Sequence, residues 1–160
     1  MTPDELMDTW QAAWSYKDPD AFAPLCAPGV HYEDPMTPEP LEGPAALAEH
    51  AQRLWTAFPD ARMEATGPRL HGEGHVAAPV KLLGTHRGEV ADLPPSRRFA
   101  VVQAVWFCRL DERTGTLWRV RGFFDLYDAA VQIGVLPRRG TLGERALFMV
   151  RGFGLRRATG

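Results

Sequence analysis

Two aspartates stand where apolar strand patterns end, and both are candidates for moving a proton. Asp34 closes the alternating run from Val30 just before Pro35, and Asp125 follows Phe123-Phe124 in a stretch otherwise too apolar to want a charge. A carboxylate buried among Trp, Phe and Leu has its pKa raised by desolvation, toward the range where it can take and return a proton near neutral pH. The chemistry this suits is proton abstraction next to a carbonyl, which also needs a donor for the developing enolate oxygen. His86, Tyr32, Trp10 or an arginine could be that donor, so the candidate catalytic set is Asp125, Asp34 and His86. Each has a plainer reading. An Asp before Pro ends many strands, an Asp before an apolar helix caps it, and His86 could be a hydrogen-bonded histidine near a strand end. Strand parity also puts Arg119, Arg121, Phe123 and Asp125 on one face, so an Arg121–Asp125 ion pair would lower the Asp125 pKa and spoil it as a base.

Other chemistries find little support. His71-Gly72-Glu73-Gly74-His75 places two imidazoles and a carboxylate in five residues, but its glycines indicate a hairpin turn whose side chains splay apart, so no metal is expected. Phosphate loops, a nucleophile elbow and a Cys-His pair are not evident in the sequence, which disfavours nucleotide binding and covalent catalysis. The aromatic inventory suits a pocket for a flat apolar ligand as well as a large core, with Trp10, Trp14, Tyr32, Trp55, Trp106 and Phe124 as the expected lining.

These residues need elements to position them. Thr2-Pro3-Asp4-Glu5 reads as a capping box that starts a helix, and Leu6, Met7, Trp10, Ala13 and Trp14 form its apolar stripe to about Tyr16. Asp18-Pro19-Asp20 starts a second, short helix carrying Phe22 and Leu25 inward, expected to stop at Pro28-Gly29. A strand then runs from Val30 to Asp34, and a proline-rich loop reaches Glu42. Gly43-Pro44 opens a third helix with Leu47, Ala51, Leu54, Trp55 and Phe58 inward, closed by Pro59-Asp60. From Ala61 the period falls to two, predicting strands over 61–71, 75–87, 98–110 and 116–125. Three helices followed by long antiparallel strands imply an α+β fold with the helices stacked on one face of a curved sheet. Thr141 to Glu144 repeats the capping-box pattern, and Leu142, Ala146, Met149, Val150 and Phe153 suggest a terminal amphipathic helix.

The 160 residues, with 24% charged, fit one folded domain rather than two, and exclude a disordered chain or a coiled coil. Cys26 and Cys108 are expected as core thiols. A net charge of -2 argues against a nucleic-acid binder. That charge is split: from Arg138 to Arg157 six arginines meet one acid, leaving the body at about -7. The domain is therefore read as residues 1–137, with 138–160 an arginine-rich helical tail docking on the body or a second subunit rather than on a membrane surface. No apolar run could span a bilayer and the N-terminus is acidic, so a cytoplasmic protein is expected.

The order of these elements resembles the nuclear transport factor 2 superfamily, a cone of curved sheet closed by helices, over about residues 1–137. Tyr32-Glu33-Asp34-Pro35, followed by Glu39-Pro40 and Gly43, is similar to the ketosteroid isomerase segment whose aspartate shuttles the proton, which implies that role for Asp34. A longer span resembles the SnoaL-like polyketide cyclases: Gly84-Thr85-His86-Arg87-Gly88-Glu89, the turn Leu93 to Arg98, and Phe124-Asp125-Leu126 ahead of Gln132-Ile133-Gly134. Their late aspartate is acid and base in an aldol closure, and maps onto Asp125. Departures accompany both. Trp10 occupies the isomerase tyrosine position and an indole cannot shift a proton, Trp106 falls near the second oxyanion position, and Arg119-Val120-Arg121 replaces the cyclases' Glu-His-Trp. Epoxide hydrolases of the same superfamily use an Asp-Arg-Asp set, which Arg87, Glu89 and Asp125 could imitate. The resemblance implies a cofactor-free polyketide cyclase or isomerase acting on an enolisable apolar or polycyclic small molecule, and a homodimer paired through the outer face of the sheet. The alternative is a non-catalytic small-molecule or protein binding module on the same cone.

Overall fold

The computed structural model describes residues 1–150. Helix α1 spans Pro3–Tyr16, and both arms of the predicted capping box form: Thr2 Oγ1 accepts from the Glu5 amide at 3.2 Å, and the Glu5 carboxylate accepts from the Thr2 amide at 2.7 Å. Its stripe of Leu6, Met7, Trp10, Ala13 and Trp14 is buried. A 3-10 turn over Pro19–Ala21 leads into helix α2, Phe22–Leu25, whose two end residues are buried. Helix α3, Gly43–Ala57, starts with Pro44 in its first turn and buries Leu47, His50, Ala51, Trp55 and Ala57.

Seven strands make one mixed, curved sheet: β1 Cys26–Glu33, β2 Leu41–Glu42, β3 Arg62–Ala65, β4 Leu70–Gly72, β5 His75–Thr85, β6 Phe99–Leu110 and β7 Leu117–Phe124. Their order is β2-β1-β7-β6-β5-β3, with β4 also on β5. All pairs are antiparallel except β1 with β7, which run parallel. The fold is α+β, as expected. The alternation along β6 buries Ala100, Val102, Ala104, Trp106 and Cys108 on one face and leaves Phe99, Val101, Val105 and Phe107 exposed on the other. Helices α1 to α3 cover the first face, and the core gathers there around Trp10, Trp14, Phe22, Tyr32 and Trp106.

Two predicted boundaries move. The chain enters β1 at Cys26, so Pro28-Gly29 lies inside a strand rather than ending a helix. Between the pairs Cys26–Leu117 and His31–Arg119, four residues of β1 face one of β7, and this bulge absorbs a proline and a glycine that a regular ladder would reject. The strand expected over 61–71 is two short ones, because Gly67-Pro68 interrupts pairing with β5. The 71–75 segment is the predicted hairpin turn, with Glu73 and Gly74 at φ 51° and 72° between paired Gly72 and His75.

After β7 the chain turns into helix α4, Leu126–Gln132, then helix α5, Leu142–Val150. Strand β7 stops opposite Ala104, so the 99–103 end of β6 lacks a neighbour on that side. The Gln132 carboxamide takes its place, donating to Val101 O and accepting from Val101 N, each at 2.8 Å. Helix α4 is thereby held over the open end of the sheet. Phe153 and the last arginines of the tail lie outside the described residues.

Candidate active site

The helices and the sheet enclose a cavity of about 630 Å³. Trp14, Trp55, Phe58, Met63, Leu82, Trp106 and Phe124 form much of its wall, α4 closes it with Tyr127 and Ile133, and the loop after β5 adds Val90 and Leu93. Arg62 borders it too, but its guanidinium is paired with Glu64 at 3.2 Å. Tyr32 and Asp34, at the end of β1, are buried polar residues on its wall.

Asp34 is nearly sealed, its side chain 3% accessible. Strand β1 ends at Glu33, and Pro35 forces a turn that folds two amides back onto the carboxylate. Oδ1 accepts from Met36 N at 2.7 Å and Thr37 N at 3.1 Å. Oδ2 accepts from Tyr32 Oη at 2.6 Å and pairs with His50 Nε2 at 2.8 Å. Four donors thus occupy the roughly four acceptor positions of a carboxylate. The close approach rests on Gly122 of β7, where a Cβ would sit 2.6 Å from Trp106 Cζ3 and 3.2 Å from Asp34 Cβ. Desolvation pushes the Asp34 carboxyl up, but the hydrogen bonds of His50 and Tyr32, the field of His50 and the Met36 amide outweigh it and hold the pKa below the ordinary value. This corrects the expectation that burial would raise it. The Tyr32 hydroxyl moves the other way, driven well above its usual range by burial and by the neighbouring Asp34 charge.

The other expected site residues divide. Trp14, Tyr32, Trp55, Trp106 and Phe124 border the cavity together with Asp34. Trp10 does not; it is fully buried between Trp14, Phe22, Tyr32 and Trp106 and belongs to the core. Asp125 is also outside the cavity. Its side chain is 53% accessible, caps α4 by accepting from Asp128 N at 2.9 Å, and meets Arg139 at 3.4 Å. The expected alternative partner, Arg121, pairs with Glu33 at 2.6 Å instead. His86 is fully buried but off the cavity wall, with Nδ1 accepting from Ser96 N at 3.1 Å and its ring 5.4 Å from that of Phe58. Arg87, Glu89 and Asp125 are exposed and none borders the cavity, so they build no hydrolytic set. Among the described residues no three His, Cys, Asp or Glu side chains converge as a metal site. Cys26 and Cys108 are free and buried, and burial pushes the Cys26 thiol up to about 12.

Sequence reasoning missed His50. A signal existed: three residues after Leu47 and four before Leu54, it lies on the inward stripe of α3, and an imidazole there must find a buried partner.

A curved sheet wrapped by helices around an apolar cavity with one buried carboxylate defines a ketosteroid isomerase-like cone. The sequence from residue 4 to 133 matches the SnoaL-like polyketide cyclases, and the chain belongs to that family. Among solved structures, AclR of Streptomyces galilaeus, a proposed hydroxylase, superposes with a TM-score of 0.72 at 19% identity over 93% of this chain and 91% of its own. IdmH of Streptomyces antibioticus, a proposed polyketide cyclase, gives 0.72 at 20% identity over 84% and 100%. A ketosteroid isomerase-like protein of Catenulispora acidiphila, in complex with trimethylamine, gives 0.70 at 18% identity over 84% and 95%. No curated protein matches the sequence significantly. At these identities the superpositions show the fold.

Proposed function

We propose that this protein is an acid-base enzyme acting on an enolisable, apolar or polycyclic small molecule, with Asp34 as proton carrier and Tyr32 as the donor to the substrate oxygen. The observation that carries this reading is the buried Tyr32–Asp34 pair on the wall of a largely apolar cavity. With all four acceptor positions filled, the carboxylate is masked as a base. A carbonyl oxygen reaching Tyr32 offers its hydroxyl another acceptor, and rotation about the Cζ–O bond suffices to make the exchange. That rotation frees a lone pair on Asp34 Oδ2 as it supplies the hydrogen bond an enolate needs. An apolar ligand without such an oxygen leaves the base masked. Family membership and the proposed cyclase and hydroxylase neighbours are consistent with a small-molecule substrate. The test is deuterium exchange at the carbon next to the carbonyl of 2-tetralone in D2O, followed by proton NMR. Wild type is expected to exceed the buffer rate, and Asp34→Asn to lose about 10²- to 10⁴-fold of the excess.

A second reading draws on the same four hydrogen bonds. A carboxylate so fully satisfied, and held anionic, is also what a structural hub provides, and the cone would then be a binding module for an apolar ligand. Wild type that leaves 2-tetralone unexchanged while binding it, seen by tryptophan fluorescence, establishes that reading instead.

We also propose a homodimer paired through the outer face of the sheet, where Phe99, Val101, Val105, Phe107 and Phe123 are 36–50% exposed on adjacent strands. Sedimentation of the wild type as a dimer, and of Phe107→Glu as a monomer, supports this; a monomeric wild type ends it.

A further inference from the structure

We infer that His50 is a proton-relay residue connecting Asp34 to solvent by a route that bypasses the cavity. The purpose of the relay rests on the acid-base reading above; its geometry does not. A carboxylate can only accept, so the 2.8 Å contact to Asp34 Oδ2 keeps a proton on Nε2, and in the neutral form of the imidazole Nδ1 is then a bare lone pair. Nδ1 has no hydrogen-bond partner among the described residues and is not among their fully buried unpartnered atoms, which fits an Nδ1 open to water. His50 borders neither the main cavity nor the smaller one beyond Asp34. The accessible 8% of its side chain therefore lies away from both of these cavities. Asp34 and its histidine thus have openings on two sides, the carboxylate toward the cavity and the imidazole toward water.

The relay balances with these two groups and water alone. A proton from water binds Nδ1, the Nε2–H bond breaks, and its proton passes to Oδ2, leaving Asp34 a carboxylic acid and the imidazole neutral with its proton on Nδ1. Run backward from that tautomer, the same steps discharge the acid. Asp34 can so exchange its proton with solvent while a ligand fills the cavity and excludes water from it. The titratable groups on elements packed against α3 are Asp20, Cys26, His31, Tyr32, Glu33, Asp34 and Glu42. Of these, Asp34 hydrogen-bonds the ring and Tyr32 packs on it at 5.6 Å between ring centroids, while His31 and Glu42 face each other at 3.8 Å.

Two measurements test the relay. In the first, the exchange rate of the His50 Nε2 proton with water is followed by NMR in the free protein and at saturating 2-naphthol. A rate unchanged by filling the cavity supports the outer route, and a rate that collapses places the exit in the cavity and overturns it. This readout needs no catalysis, so a wild type inert toward 2-tetralone defeats the proposed function and leaves the relay to be judged on exchange. In the second, His50→Gln keeps an N–H donor near Asp34 but cannot pass a proton, and His50→Ala opens a space for free imidazole. Both are expected to slow 2-tetralone exchange at least about tenfold. Added imidazole should restore His50→Ala in proportion to its concentration and leave His50→Gln slow. His50→Gln at the wild-type rate, or His50→Ala unmoved by imidazole, reduces His50 to a structural partner of Asp34.

Discussion

Asp34 and Asp125 leave the same end of two neighbouring parallel strands, with Glu33 opposite Arg121, yet they live in different physical worlds. After Asp34 the proline turns the chain so that two amides fold back, Tyr32 lies two residues behind on the same strand, and α3 brings His50 from across the core. After Asp125 the chain begins a helix, whose third amide takes the carboxylate while the other oxygen meets Arg139 in solvent. One carboxylate is desolvated and saturated by donors, so its charge is held by the fold. The other is solvated and does local work. A family position identifies which residue a relative uses; whether the side chain faces the cavity is decided by the turn that follows it and by the partners the fold brings to it.

The contrast can be broken at several points. Asp34→Ala leaves the Tyr32 hydroxyl, an imidazole and two amides without their buried acceptor, and is expected to cost about 3–5 kcal/mol in chemical denaturation. Gly122→Ala drives a methyl group into Trp106 and against Asp34, at a cost of about 1–3 kcal/mol, and should shift Trp106 fluorescence. Asp125→Ala loses a helix cap worth about 1 kcal/mol and should leave 2-tetralone exchange at the wild-type rate; a large loss there would return Asp125 to the mechanism. Arg139→Ala removes an exposed ion pair and a cation–π contact 4.9 Å from the Tyr127 ring, and should change stability by no more than about 1 kcal/mol.

Acid challenges the Asp34 cluster directly. The folded pKa of Asp34 lies below the unfolded value of about 3.9, so its ionisation stabilises the fold above that pH, and the contribution is lost as pH falls through the folded value. Thermal melts between pH 2 and 5 should therefore show a steep acid limb that is flatter in Asp34→Asn. Equal slopes in the two proteins would remove Asp34 as an acid-sensitive group.

Periodicity and caps carried most of the fold. Helix α1 could be placed because Thr2, Pro3 and Glu5 meet local geometric demands, and β6 because a two-residue period survives twelve residues when one face is buried. The parallel pairing of β1 with β7 was not legible, since nothing local in either strand states its partner. The β1 bulge hid behind Pro28-Gly29, a pair that marks a turn in most contexts. At the site, the resemblance carried both aspartates and the aromatic inventory carried much of the wall, but Trp10 and Trp14 look alike on one helix stripe, and packing alone sent the first into the core and the second to the cavity.

By itself the sequence determined the element types, the aromatic character of the interior and the candidate carboxylates, because these follow from short-range sterics, hydrogen bonding and hydrophobic period. Tertiary structure alone decided that Asp34 is the buried one, that its pKa falls rather than rises, and that His50 joins it. A pKa is set by how many donors reach a desolvated oxygen, and those donors arrive from residues 32, 36, 37 and 50, which only the folded chain brings within 3.1 Å.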